Sequence, residues 1–385
     1  MATPVEELIV AGRLLGRRFT KPRKDAPSPA PSSFAQDFDG SSKVNTKAHA
    51  LIELPSNQPP WFDTGLEIIA GDNLTLLSTG RTHLSKVMDI WVGSGFQVWA
   101  RIGEKGPIFR GTRRTHSIEA AQSGRLYLAT SFPGEWASPD GALGAVTPPD
   151  VYNGVTGDIT VGILNWGAAD GLQDWSAQGV AADLKQEELD RRANPYQVPE
   201  GWQYLWYLGE AEIFDQKDDG TMCCHTHQDV AILQKEVNFP LTPDTRIDWS
   251  WLVEELPATI REDTLPTHDY MSVAVEFDDG QDITYHWSAE LPADTIYTCP
   301  LPTWKDKETH VVVRKGPMGL KQWQDESRNL FDDYKQGIGT PKGLPMPGRI
   351  VKVWLIAVSL FQRGEGKCEY RDIKLVDGAT ALKVL

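Results

Sequence analysis

The sequence predicts an all-β protein of two β-sandwich or jelly-roll domains joined by a short helical connector. Three observations predict it. Short runs of alternating apolar and polar residues, broken by glycine-bearing turns, recur in both halves of the chain. The one good helical stretch in the middle of the chain lies between those halves. With 385 residues, 40% of them hydrophobic, the chain is long enough to bury two sizeable cores.

From the N-terminus, Val5, Leu8, Ile9, Leu14 and Leu15 fall roughly on one face, so residues 4 to 18 read as a short helix. Proline and serine dominate from Pro22 to Ser33, an expected extended linker that closes a segment 1–33. Residues 34–167 form the first predicted sandwich. Its strands are Leu74–Leu77, Val98–Ile102, Leu126–Leu128 and Ile159–Ile163, separated by turns at Gly71-Asp72, Ser94-Gly95, Ser123-Gly124 and Thr156-Gly157-Asp158. Residues 168–200 are the expected connector, with a helix over Asp183–Ala193 stopped by Asn194-Pro195. Residues 201–385 form the second sandwich. Its expected strands include Tyr204–Tyr207, Ile247–Trp251, Met271–Phe277, Ile283–Trp287, His310–Arg314, Ile350–Phe361 and Glu369–Val376, with a hairpin turn at Asp278-Asp279-Gly280. A short helix is expected over Leu320–Tyr334.

Charge narrows the partners. The 53 acidic residues exceed the 38 basic ones, and a net charge of −15 argues against nucleic acid. A basic stretch from Arg13 to Lys24 runs against the trend, as a solvated arm or as a docking or membrane-surface segment. No run approaches the ~20 apolar residues of a membrane span, and Glu6 and Glu7 are out of place in a signal peptide. The four cysteines, two of them adjacent, do not make a disulfide framework, so a cytoplasmic location is expected.

Two resemblances follow. The run Trp61-Phe62-Asp63-Thr64-Gly65-Leu66-Glu67-Ile68, then Ala70-Gly71-Asp72, Gly80, the Gly95–Gly103 strand and Gly124-Arg125-Leu126-Tyr127-Leu128, resembles the galactophilic PA-IL type lectin sandwich over residues 61 to 166. That family holds a calcium ion, which grips sugar hydroxyls, through asparagine and carboxylate ligands. Here Thr130-Ser131-Phe132 and Gly154-Val155 stand where those ligands belong, so the resemblance implies the sandwich and not the sugar specificity. Asp140, Asp150 and Asn153 in an enlarged loop are an alternative oxygen set for a divalent metal, or a solvated loop. The second half resembles an uncharacterised bacterial domain family. It does so through Trp249-Ser250-Trp251, Leu256-Pro257, His268-Asp269-Tyr270, Tyr285-His286-Trp287, Glu326 to Leu330, Asp332-Asp333-Tyr334 and Tyr370 to Ile373. It is also similar in strand order to carbohydrate-binding jelly rolls.

Several constellations could carry chemistry. Alternation along Met222–Asp229 puts Cys223, His225 and His227 on one face, a zinc-ligand set or a plain surface, with Cys224 on the other. His268 and Asp269 are expected near a sheet end, with Tyr285 and His286 returning toward them across the hairpin. Such a group can act as general acid and base, or serve as ordinary caps and buried pairs. Arg314, Glu326, Arg328, Asp332, Asp333 and Tyr334 form a second polar group, in which Arg328 and Asp332, four apart on the expected helix, suggest a fold-fixing ion pair. Among the 14 tryptophans, the pairs Trp202 with Trp206 and Trp249 with Trp251, together with Trp287, offer faces for a ring-shaped ligand or fill cores.

The leading expectation is a binding protein for a carbohydrate or other polyhydroxylated small molecule. A lyase, hydratase or hydrolase built on His268, Asp269, Tyr285 and His286 competes with it. A self-assembling subunit, a homo-oligomer, is the third reading.

Overall fold

The computed structural model describes residues 4–20, 30–56, 61–87, 90–110, 113–130, 136–144 and 154–385. The fold is all-β, built from sheets packed as sandwiches. It divides into two compact units: Thr20–Pro195 with Trp206–Ala211, and Met1–Phe19 with Tyr196–Leu205 and Glu212–Leu385. Among the described residues no helix is long and apolar enough to cross a membrane.

Among the described residues the unit of the N-terminal half holds nine strands: β1 (Ala48–Pro55), β2 (Phe62–Ile68), β3 (Asn73–Ser85), β4 (Ile90–Gly93), β5 (Val98–Ile102), β6 (Ile108–Arg110), β7 (Thr115–Glu119), β8 (Gly124–Thr130) and β9 (Thr156–Gly167). One sheet runs β1-β9-β3-β4 with β7 also on β3; the other runs β2-β8-β5-β6. Alternation turns Leu54, Leu76, Val98, Leu126, Leu128, Val161 and Ile163 into the space between them. Strand β9 is buried on both faces, because helices cover the outer side of its sheet.

Those helices are where the sequence expectation changes. Pro31, predicted to be linker, instead opens a helix (Pro31–Gly40), since proline suits a first helical turn and Phe34 and Phe38, four apart, bury together. The expected connector helix begins at Gly179 and ends at Ala193. It packs into the same cluster as Phe34, Phe38, Leu164, Trp166 and Trp175 through Ala181 and Leu184. The Asp37 carboxylate accepts the Val180 amide at 2.8 Å, satisfying a free N–H at the helix start. Gly162 of β9 is required here: a Cβ would lie 2.6 Å from the Phe38 ring. Residues 168–195 of the segment read as a connector are thus part of the first unit, while residues 196–200 belong to the other. Residues 21–29 of the proline-rich stretch lie outside the described residues.

The other unit holds thirteen strands: β10 (Trp202–Tyr204), β11 (Phe214–Gln216), β12 (Met222–His227), β13 (Val230–Pro240), β14 (Arg246–Glu255), β15 (Tyr270–Phe277), β16 (Asp282–Ser288), β17 (Ile296–Thr298), β18 (Glu308–Lys315), β19 (Gln324–Asn329), β20 (Arg349–Val358), β21 (Glu365–Asp377) and β22 (Thr380–Lys383). A seven-stranded sheet runs β10-β13-β20-β15-β16-β18-β17, and a second runs β11-β12-β21-β14-β19 with β22 on β21. The predicted hairpin forms, with Val273 opposite Tyr285. One pairing, β16 with β18, is parallel. Trp249 and Trp251 of one sheet meet Tyr285 and Trp287 of the other, with ring centroids 5.5 and 5.8 Å apart. Within the stretch read as a helix over Leu320–Tyr334, Gln324–Asn329 is β19. Helix begins only at Leu330, where the Asn329 side chain accepts the Asp332 amide.

The N-terminal helix (Pro4–Thr20) belongs to this second unit. Val10 and Leu14 bury against Ile260, while Arg13 pairs with Glu290 at 2.7 Å and Glu6 with Arg261 at 2.5 Å. Part of the expected solvated basic arm is therefore engaged. Phe38→Ala should lower the stability of the full chain by about 3–5 kcal/mol, the usual cost of removing a buried aromatic, as read by urea unfolding.

Candidate functional site

The outer face of β15, β16 and β18 carries polar side chains at every second position: Tyr270 and Ser272, Thr284 and His286, Glu308 and His310. Another layer closes over them. His268, which follows a short turn at Leu265–Thr267, and Tyr297 and Cys299 from the β17 region shut the group from solvent. Three imidazoles meet there: the His310 ring lies 4.8 Å from His268 and 5.6 Å from His286, and Tyr297 stacks on it at 4.8 Å.

Glu308 is the carboxylate of the group. Its Oε1 accepts the Tyr270 hydroxyl at 3.1 Å and the Thr284 hydroxyl at 3.0 Å, and lies 3.5 Å from His310 Nε2. His268 Nδ1 donates to the Glu262 carbonyl at 2.7 Å, so its Nε2 carries the lone pair and sits 3.4 Å from Cys299 Sγ. His286 Nε2 meets the Tyr297 hydroxyl at 3.0 Å. Neither His310 nitrogen makes a hydrogen bond. Burial pushes His268 down to about 3 and His286 well below its ordinary value, so both rings are neutral. Burial also raises the Cys299 thiol, and burial together with the charge of Glu308 raises Asp282.

Of the four predicted acid–base residues, His268 and His286 come together and the other two do not. Asp269 turns away to accept the Phe361 amide at 2.9 Å and the Gln362 amide, pinning a loop. Tyr285 lies on the opposite face from His286, because neighbours on a strand alternate. Its hydroxyl donates to Asp333 at 2.8 Å. All four are buried, so the expected open mouth does not form. Sequence reasoning missed Cys299 and Glu308, and took His310 only as a strand residue. Glu308 and His310, two apart on one strand, were the available signal.

The remaining candidates are equally definite. Trp202, Trp249, Trp251 and Trp287 are buried, the last three inside the sandwich, so they present no ligand face. Trp206 is 42% exposed, beside Tyr207. Cys223, His225 and His227 do share the outward face of β12, but His225 pairs with Glu365 at 2.8 Å. Among the described residues the donor atoms that converge belong to His268, Cys299, Glu308 and His310, all within 4.8 Å of one another. Asp140 caps a turn through the Ser138 hydroxyl and the Ala142 amide; Asp150 and Asn153 lie outside the described residues. Arg328 pairs with Asp333, not Asp332, at 2.7 Å, and Arg314 pairs with Glu326.

A second feature lies on the outer face of β14, β19 and β21. A groove of about 700 Å³ is lined there by Asp248, Ser250, Asp325, Ser327, Asp372 and Lys374 among others. The register between β14 and β21 slips between the pairs Asp248–Lys374 and Ser250–Arg371. Asp372 takes up the extra residue at φ 56°, a left-handed conformation that aspartate tolerates. As a result Arg371 and Asp372, successive residues, are both exposed. The Arg371 guanidinium carbon lies over the Trp323 ring, 3.9 Å from its centroid. Ser250 donates to Asp325 at 2.6 Å, and Arg246 donates to Ser327 at 2.9 Å.

Residues 202–374 match the family model described as "Protein of unknown function (DUF3047)". No curated protein matches the chain. Similar solved structures include the EclA N-terminal domain, a PllA-like lectin, at 13% identity and TM-score 0.23, covering 31% of this chain and 98% of that one. The xyloglucanase domain of NopAA from Sinorhizobium fredii, in complex with cellobiose, has 10% identity and TM-score 0.30, covering 48% and 98%. The CBM22-1-CBM22-2 tandem domain of Xyn10C from Paenibacillus barcinonensis has 10% identity and TM-score 0.23, covering 88% and 90%. Lectin, carbohydrate-binding and glycosidase-related domains thus stand among the similar structures, and none places a ligand on this chain.

Asp333→Ala should lower stability by about 3 kcal/mol, because it strips a buried acceptor from both Arg328 and Tyr285. Denaturant unfolding of the variant checks this, and an unchanged midpoint would refute it.

Proposed function

We propose that the second unit binds an uncharged polyhydroxylated small molecule, a carbohydrate in class, in the groove over β14, β19 and β21. The observation that carries this reading is the bulge at Asp372, which turns two successive charged side chains outward beside a row of carboxylates and hydroxyls. Bulges that re-aim side chains recur beside binding sites. A sugar ring presents adjacent hydroxyls that both donate and accept. Asp248, Asp325 and Asp372 supply acceptors, Lys374 and Lys383 supply donors, and the Ser250 and Ser327 hydroxyls, whose protons go to Asp325 and Asp248, supply further acceptors.

Charge sets the ligand class. Four carboxylates, Asp248, Asp325, Glu326 and Asp372, line the groove against two lysines, Lys374 and Lys383, so the acidic sign dominates and a polyanion is repelled there. The groove is shaped before any ligand arrives, since Ser250 is held by Asp325, Ser327 by Arg246 and Arg371 by Trp323. Held side chains lose less freedom on binding. The acid–base enzyme reading has no comparable support, because its residues are closed to solvent and split between two faces of a sheet.

A panel of neutral and acidic oligosaccharides titrated calorimetrically into the full chain tests the proposal. Neutral sugars should bind. Asp325→Ala and Asp372→Ala should each weaken binding about 10-fold or more, as for the loss of one charged hydrogen bond. Trp206→Ala should leave binding unchanged. A panel without a binder, or binding indifferent to both aspartates, would refute it.

A further inference from the structure

We propose that His268, Cys299, Glu308 and His310 form a zinc site that ties the 256–269 segment to β17 and β18. It stands apart from the groove and does not depend on the sugar reading. Four donors of three kinds come from three separate pieces of chain: the turn after Leu265–Thr267, the residue following β17, and two positions on one face of β18. All four side chains are buried, and their ligand atoms lie within 4.8 Å of one another. Zinc bonds of 2.0–2.3 Å place tetrahedral ligands about 3.3–3.8 Å apart. Two of the contacts already have that length, His268 Nε2 to Cys299 Sγ at 3.4 Å and Glu308 Oε1 to His310 Nε2 at 3.5 Å.

Three features of the group are costly without a cation and ordinary with one. His310 is fully buried and hydrogen-bonded through neither nitrogen, an expensive arrangement for an imidazole. Glu308 is a buried carboxylate whose hydrogen-bond partners include two neutral hydroxyls, and the ring 3.5 Å away is an imidazole rather than a lysine or arginine. His268 donates Nδ1–H to a backbone carbonyl and points Nε2 inward, the orientation in which ligating histidines are held. The hydroxyls of Tyr270 and Thr284 would hold Glu308 in the same way.

The donor set selects the metal. One sulfur, two imidazole nitrogens and one carboxylate suit zinc, whereas calcium and magnesium take oxygen ligands. On binding, the Cys299 S–H bond breaks and its proton leaves to solvent while sulfur bonds the metal. The imidazoles bind neutral and Glu308 binds ionised. A dipositive ion with one thiolate and one carboxylate leaves the site with no net charge, as a dry interior requires. Four protein ligands fill a tetrahedral zinc, so the role is structural.

Elemental analysis of the full-length chain, purified without chelator, tests this. About one zinc ion per chain is expected, as for a filled structural site. Cys299→Ser and His310→Ala should cut the content about 10-fold or more, whereas Cys223→Ser with His225→Ala should leave it unchanged. Should the site variants fold poorly, cobalt added to chelator-treated wild-type chain gives an independent readout. Tetrahedral d–d bands and a thiolate-to-cobalt charge-transfer band are expected. The proposal is overturned if folded wild-type chain takes up neither zinc nor cobalt stoichiometrically, if cobalt binds without thiolate charge transfer, or if Cys299→Ser keeps full zinc content.

Discussion

Burial of a sheet on both faces is the constraint on which the second unit rests. Strands β15, β16 and β18 are closed above and below, so every side chain along them has to be matched, apolar or polar. On the inner side this is met by large rings, with Trp249, Trp251, Tyr285 and Trp287 interlocking between the sheets. On the outer side the same strands carry hydroxyls, imidazoles and carboxyls: Glu308 takes the Tyr270 and Thr284 hydroxyls from the sheet itself, His286 meets Tyr297 of the covering layer, and His310 is left without a hydrogen bond. His268 bonded to the Glu262 carbonyl, and Asp269 bonded to the Phe361 amide, hold that layer in place.

The first unit meets a similar demand differently. Its sheet β1-β9-β3-β4 is covered on the outside by helices, and the match there is mainly apolar, through Phe34, Phe38, Trp166 and Trp175. Close approach replaces polar pairing, as Gly162 shows by leaving room for the Phe38 ring. Among the described residues its buried carboxylates have partners, such as Asp72, which takes Lys47 at 2.7 Å and Asn165 at 2.9 Å.

The two polar places of the second unit differ in access, and so in what they can do. The groove over β14, β19 and β21 faces solvent, and its side chains keep much of their exposure while being held by one another. A diffusing molecule can reach it. The group around Glu308 admits no such visitor and instead joins distant segments, so its chemistry is that of holding a fold together. A bulge opened one face and a covering loop closed the other, although both are outer faces of sheets in one sandwich.

Much of the architecture was legible in the sequence. Alternation located strands such as β5, β14 and β21, and the Asp278-Asp279-Gly280 turn located the β15–β16 hairpin. Pattern also placed Cys223, His225 and His227 on one side of a strand, where they lie. Less legible were positions that more than one structure satisfies. Pro31 suits a linker or a first helical turn, and the run ending at Tyr334 fits a helix or a strand until its neighbours are present. Only Glu308 and His310 among the converging donors share a strand, so no spacing in the sequence announces the group.

By itself the chain determined that its segments are mostly strands and which side chains alternate, because those follow from local geometry with a period of two residues. The tertiary structure decided which faces are covered. It sent Tyr285 inward and His286 to the opposite side among histidines, brought Cys299 to His268 across thirty-one positions, and opened the groove at Asp372. Burial and long-range convergence depend on how remote segments pack, and no local pattern encodes them.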